Sequence, residues 1–202
     1  DPFSTPITRL LPALTDCRKP TLPIIGGMAS GASQASFNRI VLNDQSMKTG
    51  GVGLTISGPV QFDCILSQGC RPIGKPLRVT KVDGNVVLEL GGKPALDQLS
   101  ELSRNVTDHE RALLEGGLLL GGVIDEHKDH FGRGDFLVRS VMGLDRKRKG
   151  VAAGEFYRLG KTVQFHVRDA QTAVEDLQLL LDAQQLDEMP FAGLLVTCNG
   201  RG

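Results

Sequence analysis

Tryptophan is absent from this chain, and one tyrosine with eight phenylalanines makes up its whole aromatic complement. A nucleic-acid surface needs an excess of positive charge and usually stacking rings. Here Lys plus Arg and Asp plus Glu balance at 23 each, which argues against a nucleic acid as partner. No apolar run approaches the roughly 18 residues of a membrane span. Cysteine is sparse: Cys17, Cys64, Cys70 and Cys198 are scattered and form no CxxC pair. Free thiols in a reducing compartment are expected rather than a disulfide framework. Asp1-Pro2-Phe3-Ser4 lacks the basic start and apolar stretch of a secretory signal. The expectation is a soluble intracellular protein, in the cytoplasm or in an organelle matrix or stroma if a targeting segment precedes the chain. The missing initiator Met reads as a segment of something longer.

What is present suits a globular fold. The chain has 202 residues, 40% hydrophobic and 23% charged, enough for one large domain or two modest ones with a real core. Residues 6–17 read as a short helix with Pro6 in its first turn and Pro12 inside it. Thr21–Ile25 reads as a strand emptying into Gly26-Gly27-Met28. No GxGxxG and no Walker lysine accompany it, so a phosphate cradle is not indicated. From Phe37 to Leu90 the pattern is β. Val52, Leu54 and Ile56 alternate with small or polar residues, and Phe62, Cys64 and Leu66 alternate likewise except that Ile65 breaks the polar side; Cys64 is expected as a core thiol. Asp83-Gly84-Asn85 between two apolar runs is a hairpin signal.

Helical patterns follow over 94–103 and 107–115, with Thr107 as the cap of the second. Leu118–Ile124 reads as a buried strand. Asp125-Glu126-His127-Lys128-Asp129-His130 gathers possible metal ligands, but Lys128 and the lack of an HExxH or cysteine partner make it a solvated loop. Phe136–Met142 is a further strand. Asp145-Arg146-Lys147-Arg148-Lys149 is a basic run expected as a solvated loop tip. Thr162–Asp169 alternates cleanly, with Val163, Phe165 and Val167 toward a core and Gln164, His166 and Arg168 on the other face. Asp169 then caps a helix with apolar residues at 170, 173, 174, 177, 180 and 181. A closing strand over Phe191–Val196 breaks into Cys198-Asn199-Gly200-Arg201-Gly202. This places a thiol, an amide and a guanidinium at a glycine-permitted turn, a grouping suited to an anionic or carbonyl-bearing ligand.

Four stretches occur in an order that resembles the FIST family (F-box and intracellular signal transduction): Leu120–Glu126, Gly134–Arg139, Val163–Ala170 and Cys198–Gly202. The resemblance covers nearly the whole chain. It implies the later part of a FIST N-terminal domain over 1–105 and a truncated FIST C-terminal domain over 106–202. The fold expected is α+β, with mixed, mainly antiparallel β-sheets, flanking helices and two related lobes. The family continues past the Gly-Arg-Gly turn, and this chain stops there.

The function implied is a non-enzymatic module that senses a small ligand, such as an amino acid or other carboxylate, for signal transduction. The ligand-binding residues would be Cys198, Asn199, Gly200, Arg201, Arg168 and His166. The alternative is a protein-interaction module that captures a substrate protein, as in F-box-linked members. A cysteine-dependent hydrolase is the third reading, with Cys198 as nucleophile and His166 the positional candidate for its base. No cofactor and no metal is implied. The partners expected are a small molecule or a signalling or substrate protein, with no membrane span.

Overall fold

The computed structural model describes residues 1–17, 23–132, 134–184 and 189–197. It separates into two compact units, one of Asp1–Cys64 with Met189–Gly202 and one of Ile65–Glu188. The architecture is mixed α+β with antiparallel pairing throughout.

In the first unit, α1 (Ile7–Cys17) carries Pro12 inside it, and β1 (Ile40–Leu42) pairs with β2 (Gln45–Met47). Asn43 takes a left-handed conformation in the two-residue turn between them, a geometry that Asn tolerates better than most residues. Several β expectations fail in this unit. Residues 23–25, 51–64 and 191–197 join no ladder. Leu54, Leu194 and Leu195 are each more than 80% exposed, and Cys64 is an exposed thiol rather than a core one. The physical reason is that alternation creates an apolar face but no hydrogen-bond partner. Glycines at 50, 51, 53 and 58 also make the backbone costly to fix in an extended form.

The second unit is a barrel. Its strands are β3 (Cys70–Asp83), β4 (Val86–Leu90), β5 (Lys93–Pro94), β6 (Leu118–Val123), β7 (Phe136–Asp145), β8 (Gly150–Ala153) and β9 (Thr162–Arg168). They run in the order β3-β9-β6-β7-β8-β4-β5, and β3 pairs with β4 as well, so the sheet closes on itself. Two long strands make the corners. β3 pairs with β9 through Arg78 and with β4 from Val79 onward. β7 pairs with β6 through Ser140 and with β8 from Val141 onward. Pro72, Gly74 and Pro76 cluster at an irregularity in the β3–β9 ladder, where the register shifts between Ile73 and Leu77. A strand interior tolerates proline only at such edges and bulges. Gly84 (φ +57) makes the expected β3–β4 turn.

Ile73, Val79, Val87, Leu90, Leu120, Val151, Val163, Phe165 and Val167 fill the barrel. Outside it, α2 (Ala95–Asn105) lays Leu99 and Leu102 on that core, and α3 (Asp108–Glu115) adds Leu113 and Leu114. Thr107 caps α3 in a reciprocal box with Glu110. The last helix, α4 (Ala170–Gln184), differs from expectation. Its apolar positions are only partly covered, with Val174 and Leu181 exposed, and its one buried residue is Thr172. The strand expected after α4 has no ladder over 191–197, so that strand–helix–strand unit is absent from the described residues.

Gly121 and Gly122 give β6 a bare backbone on both sides. A Cβ at Gly121 would lie 2.7 Å from His166 Cε1, and one at Gly122 would lie 2.7 Å from Tyr157 Cε1. Tyr157, 7% exposed, donates its hydroxyl to Leu120 O at 2.7 Å. Gly121→Ala and Gly122→Ala are each expected to cost about 1–3 kcal/mol through overpacking. Gly143→Ala, whose Cβ would meet nothing within 4 Å, is expected to stay within about 0.5 kcal/mol of the parent. Urea denaturation of the three variants checks this ordering.

Candidate functional site

The sequence places His166 and Arg168 on one face of β9, and the backbone keeps them there, but in different environments. The face expected to be polar and open is buried through His166. Thr162, Gln164 and His166 are all under 9% exposed, and only Arg168 at the strand end reaches solvent. The period-two pattern identifies the strand but not its cover, because both faces of a barrel strand can be buried.

His166 is 3% exposed. Its ring lies over Gly121 and meets Phe136 edge-on, with centroids 5.1 Å apart. Its Nδ1 is 3.0 Å from Gln164 O, a geometry that fits the tautomer with the proton on Nδ1. Burial drives the imidazole below the usual histidine range, and the Gln164 carbonyl opposes that only in part. Gln164 Nε2 donates to Gly74 O at 2.8 Å, tying β9 to the irregular stretch of β3.

Arg168 is exposed, and its side chain makes no hydrogen bond or ion pair among the described residues. It stands opposite Cys70 of β3 in the antiparallel ladder. Next to it, Asp169 is 6% exposed and caps α4 as the sequence leads one to expect. Its Oδ1 accepts from Gln171 N at 3.1 Å, and its Oδ2 accepts from Thr172 Oγ at 2.8 Å. Although burial opposes it, these hydrogen bonds hold the Asp169 carboxyl below its ordinary value. Arg71 of β3 adds a bridge that sequence reasoning missed. Its guanidinium lies 3.6 Å from Asp169 and 3.8 Å from Glu110, joining the starts of α4 and α3. No spacing rule links an arginine in β3 to two helix caps about 40 and 100 residues away.

The acidic loop after β6 is also more structured than a solvated run. Glu126 accepts from Thr162 N at 2.9 Å and Thr162 Oγ at 2.7 Å, with Lys161 Nζ at 3.3 Å. It thereby clasps the end of β6 to the start of β9. Against the cost of partial burial, the Thr162 bonds keep its carboxyl low. The remainder of the loop is solvated as expected, and the described residues contain no group of three His, Cys, Asp or Glu that could hold a metal ion. Cys198, Asn199, Gly200 and Arg201 lie outside the described residues.

His166 predicts how stability depends on pH. Its folded pKa is depressed, so the unfolded chain takes a proton first as pH falls through about 6.5. Stability is then lost on acidification, by at most roughly 1.4 kcal/mol per pH unit for this one group. Asp169 and Glu126, also depressed, add a further loss only in the carboxylate range below about 4.5. Denaturation midpoints between pH 7.5 and 5.5 should fall for the parent chain, with a shallower slope for His166→Gln. Equal slopes would mean that His166 is not held neutral.

The chain matches known proteins along its whole length. The FIST N domain model matches residues 1–93, and the FIST C domain model matches residues 95–202. The uncharacterized protein Rv0628c of Mycobacterium tuberculosis is 41% identical over 205 residues, covering 100% of this chain and 53% of that protein. The uncharacterized protein Mb0898c of Mycobacterium bovis is 38% identical over 204 residues, covering 100% of this chain and 52% of that protein. The uncharacterized protein MJ1623 of Methanocaldococcus jannaschii is 39% identical over 93 residues, covering 43% of this chain and 18% of that protein. The chain thus spans about half the length of the mycobacterial relatives. No solved structure matches it. FIST domains are signal-transduction sensory domains, and none of the described helices is long and apolar enough to cross a membrane. With both of its domain models matched in order, the chain belongs to the FIST family.

Proposed function

We propose that this chain senses a small carboxylate, such as an amino acid, on behalf of a signalling protein. The observation that carries the reading is Arg168. It is an exposed guanidinium without a side-chain partner among the described residues, held at the end of a strand that is otherwise buried. From that fixed backbone its planar fork can offer a carboxylate two parallel N–H donors. Asp169 beside it does not compete, because the α4 cap and Arg71 already occupy its oxygens. Cys198, Asn199, Gly200 and Arg201 enter the proposal on their sequence alone, as further donors in a glycine-rich segment. His166 supports the site from beneath the surface, as a neutral packed ring two residues from Arg168 on the same strand face.

Capture of a protein partner is the second reading. It draws on the apolar side chains of the first unit that stand in solvent, Leu54, Phe191, Leu194 and Leu195 among them. Thiol chemistry at Cys198 draws less support. His166, the base it would use, is sealed at 3% exposure.

Isothermal titration of the chain with a panel of amino acids and simple carboxylates tests the first reading. At least one member should bind, and Arg168→Ala should weaken it roughly 10- to 100-fold, the worth of a charge-assisted pair. Arg201→Ala should weaken the same ligand. Absence of heat across the panel at millimolar concentration, or binding indifferent to Arg168, would contradict it.

A further inference from the structure

A second polar surface lies away from β9, where the β7–β8 turn meets β3, β4 and β5. A cleft of about 400 Å³ opens there, lined by Lys81, Leu88, Glu89, Pro94, Lys147, Arg148 and Lys149. The basic run singled out in the sequence thus forms one wall of a hollow. β3 contributes one more cation to the lining, Lys81.

The turn is braced. Arg148 Nε lies 2.6 Å from Asp145 Oδ2, and its Nη1 lies 2.6 Å from Asp83 Oδ2. Its backbone N–H donates to Asp145 Oδ1 at 3.0 Å. Lys149 is held left-handed at φ +54, rare for a residue with a side chain, and its ammonium reaches Asp97 at 3.2 Å. Gly150 brings β8 close to β4, since a Cβ there would lie 2.7 Å from Val86 Cγ1. Arg148 and Lys149 are therefore structural cations, neutralised by their own carboxylates. Arg146 and Lys147, at the tip, have no side-chain partner among the described residues. Lys81 is held loosely, 3.8 Å from Glu89 across the β3–β4 ladder.

We propose that this cleft binds an acidic peptide segment of a partner protein, with an apolar side chain between two carboxylates. Leu88 and Pro94 give the cleft its apolar lining, and Lys147 and Lys81 bring cations to the same cleft. That combination is complementary to a segment in which carboxylates flank an apolar residue. Glu89 is a built-in competitor, because its carboxylate lies 3.8 Å from the Lys81 ammonium. The surface is independent of Arg168 and does not rest on the small-ligand reading.

Fluorescence anisotropy with a labelled Glu-Glu-Leu-Glu-Glu peptide at low salt provides the test, with a Lys-Lys-Leu-Lys-Lys peptide as control. The acidic peptide should bind and the basic one should not. Lys147→Glu and Lys81→Glu should each weaken binding about fivefold or more, while Glu89→Gln strengthens it a few-fold. Lys81 and Lys147 are exposed and Glu89 is half-buried, and unchanged circular dichroism would exclude a folding effect. Either of two outcomes would overturn the proposal: affinity indifferent to all three substitutions, or full displacement of the peptide by an equal concentration of inorganic phosphate, which would mark a general anion site.

Discussion

Close approach of rings to bare backbone holds the barrel together where the family motif is densest. At Gly121 the histidine of β9 rests against one side of β6, and at Gly122 the chain's single tyrosine rests against the other. Alternate residues of a strand point to opposite faces, so two consecutive glycines remove a side chain from each face at one level. The space is filled by groups that also make specific bonds: Tyr157 to the Leu120 carbonyl, His166 to the Gln164 carbonyl. The steric gap therefore fixes both the inside of the barrel and the outward environment of the strand that ends in Arg168.

From that constraint the functional surface follows in steps. β9 is buried on both faces: Val163, Phe165 and Val167 lie in the core on one, and on the other His166 packs between Gly121 and the ring of Phe136. Gln164 then ties β9 to the irregular stretch of β3 at Gly74, and Glu126, just past β6, accepts from Thr162 at the start of β9. Burial ends at Arg168, and the chain turns at once into a capped helix. A charged side chain at such a point sits on a rigid base, with its nearest carboxylate already engaged. Rigidity of this kind lowers the ordering cost of binding, which is where affinity for a small ligand is most easily lost.

Local chemistry made much of the second unit legible in advance. Gly84-Asn85 set the turn, Thr107 and Asp169 set the helix starts, and the alternation from Val163 to Val167 set the strand, because each depends on residues within a few positions. What stayed hidden depends on distant partners. Nothing near Glu126 reveals that Thr162 will meet it, and nothing near Arg71 reveals two helix caps. The first unit shows the opposite failure. Val52, Leu54 and Ile56 have the periodicity of a strand, yet extended backbone needs a neighbouring strand to satisfy its N–H and C=O groups, and no ladder includes them. The resemblance in the closing Cys198–Gly202 motif helped identify the family, while its place in the fold lies outside the described residues.

The most direct examination of the sensing account is residue-resolved. Nuclear magnetic resonance of the ¹⁵N-labelled chain, titrated with amino acids, reports each backbone amide and the arginine Nε–H groups separately. The account predicts saturable shifts concentrated at residues 167–172 and at the Arg168 Nε–H, with the β7–β8 turn unchanged. Shifts confined to other surfaces, or none up to millimolar ligand, would contradict it.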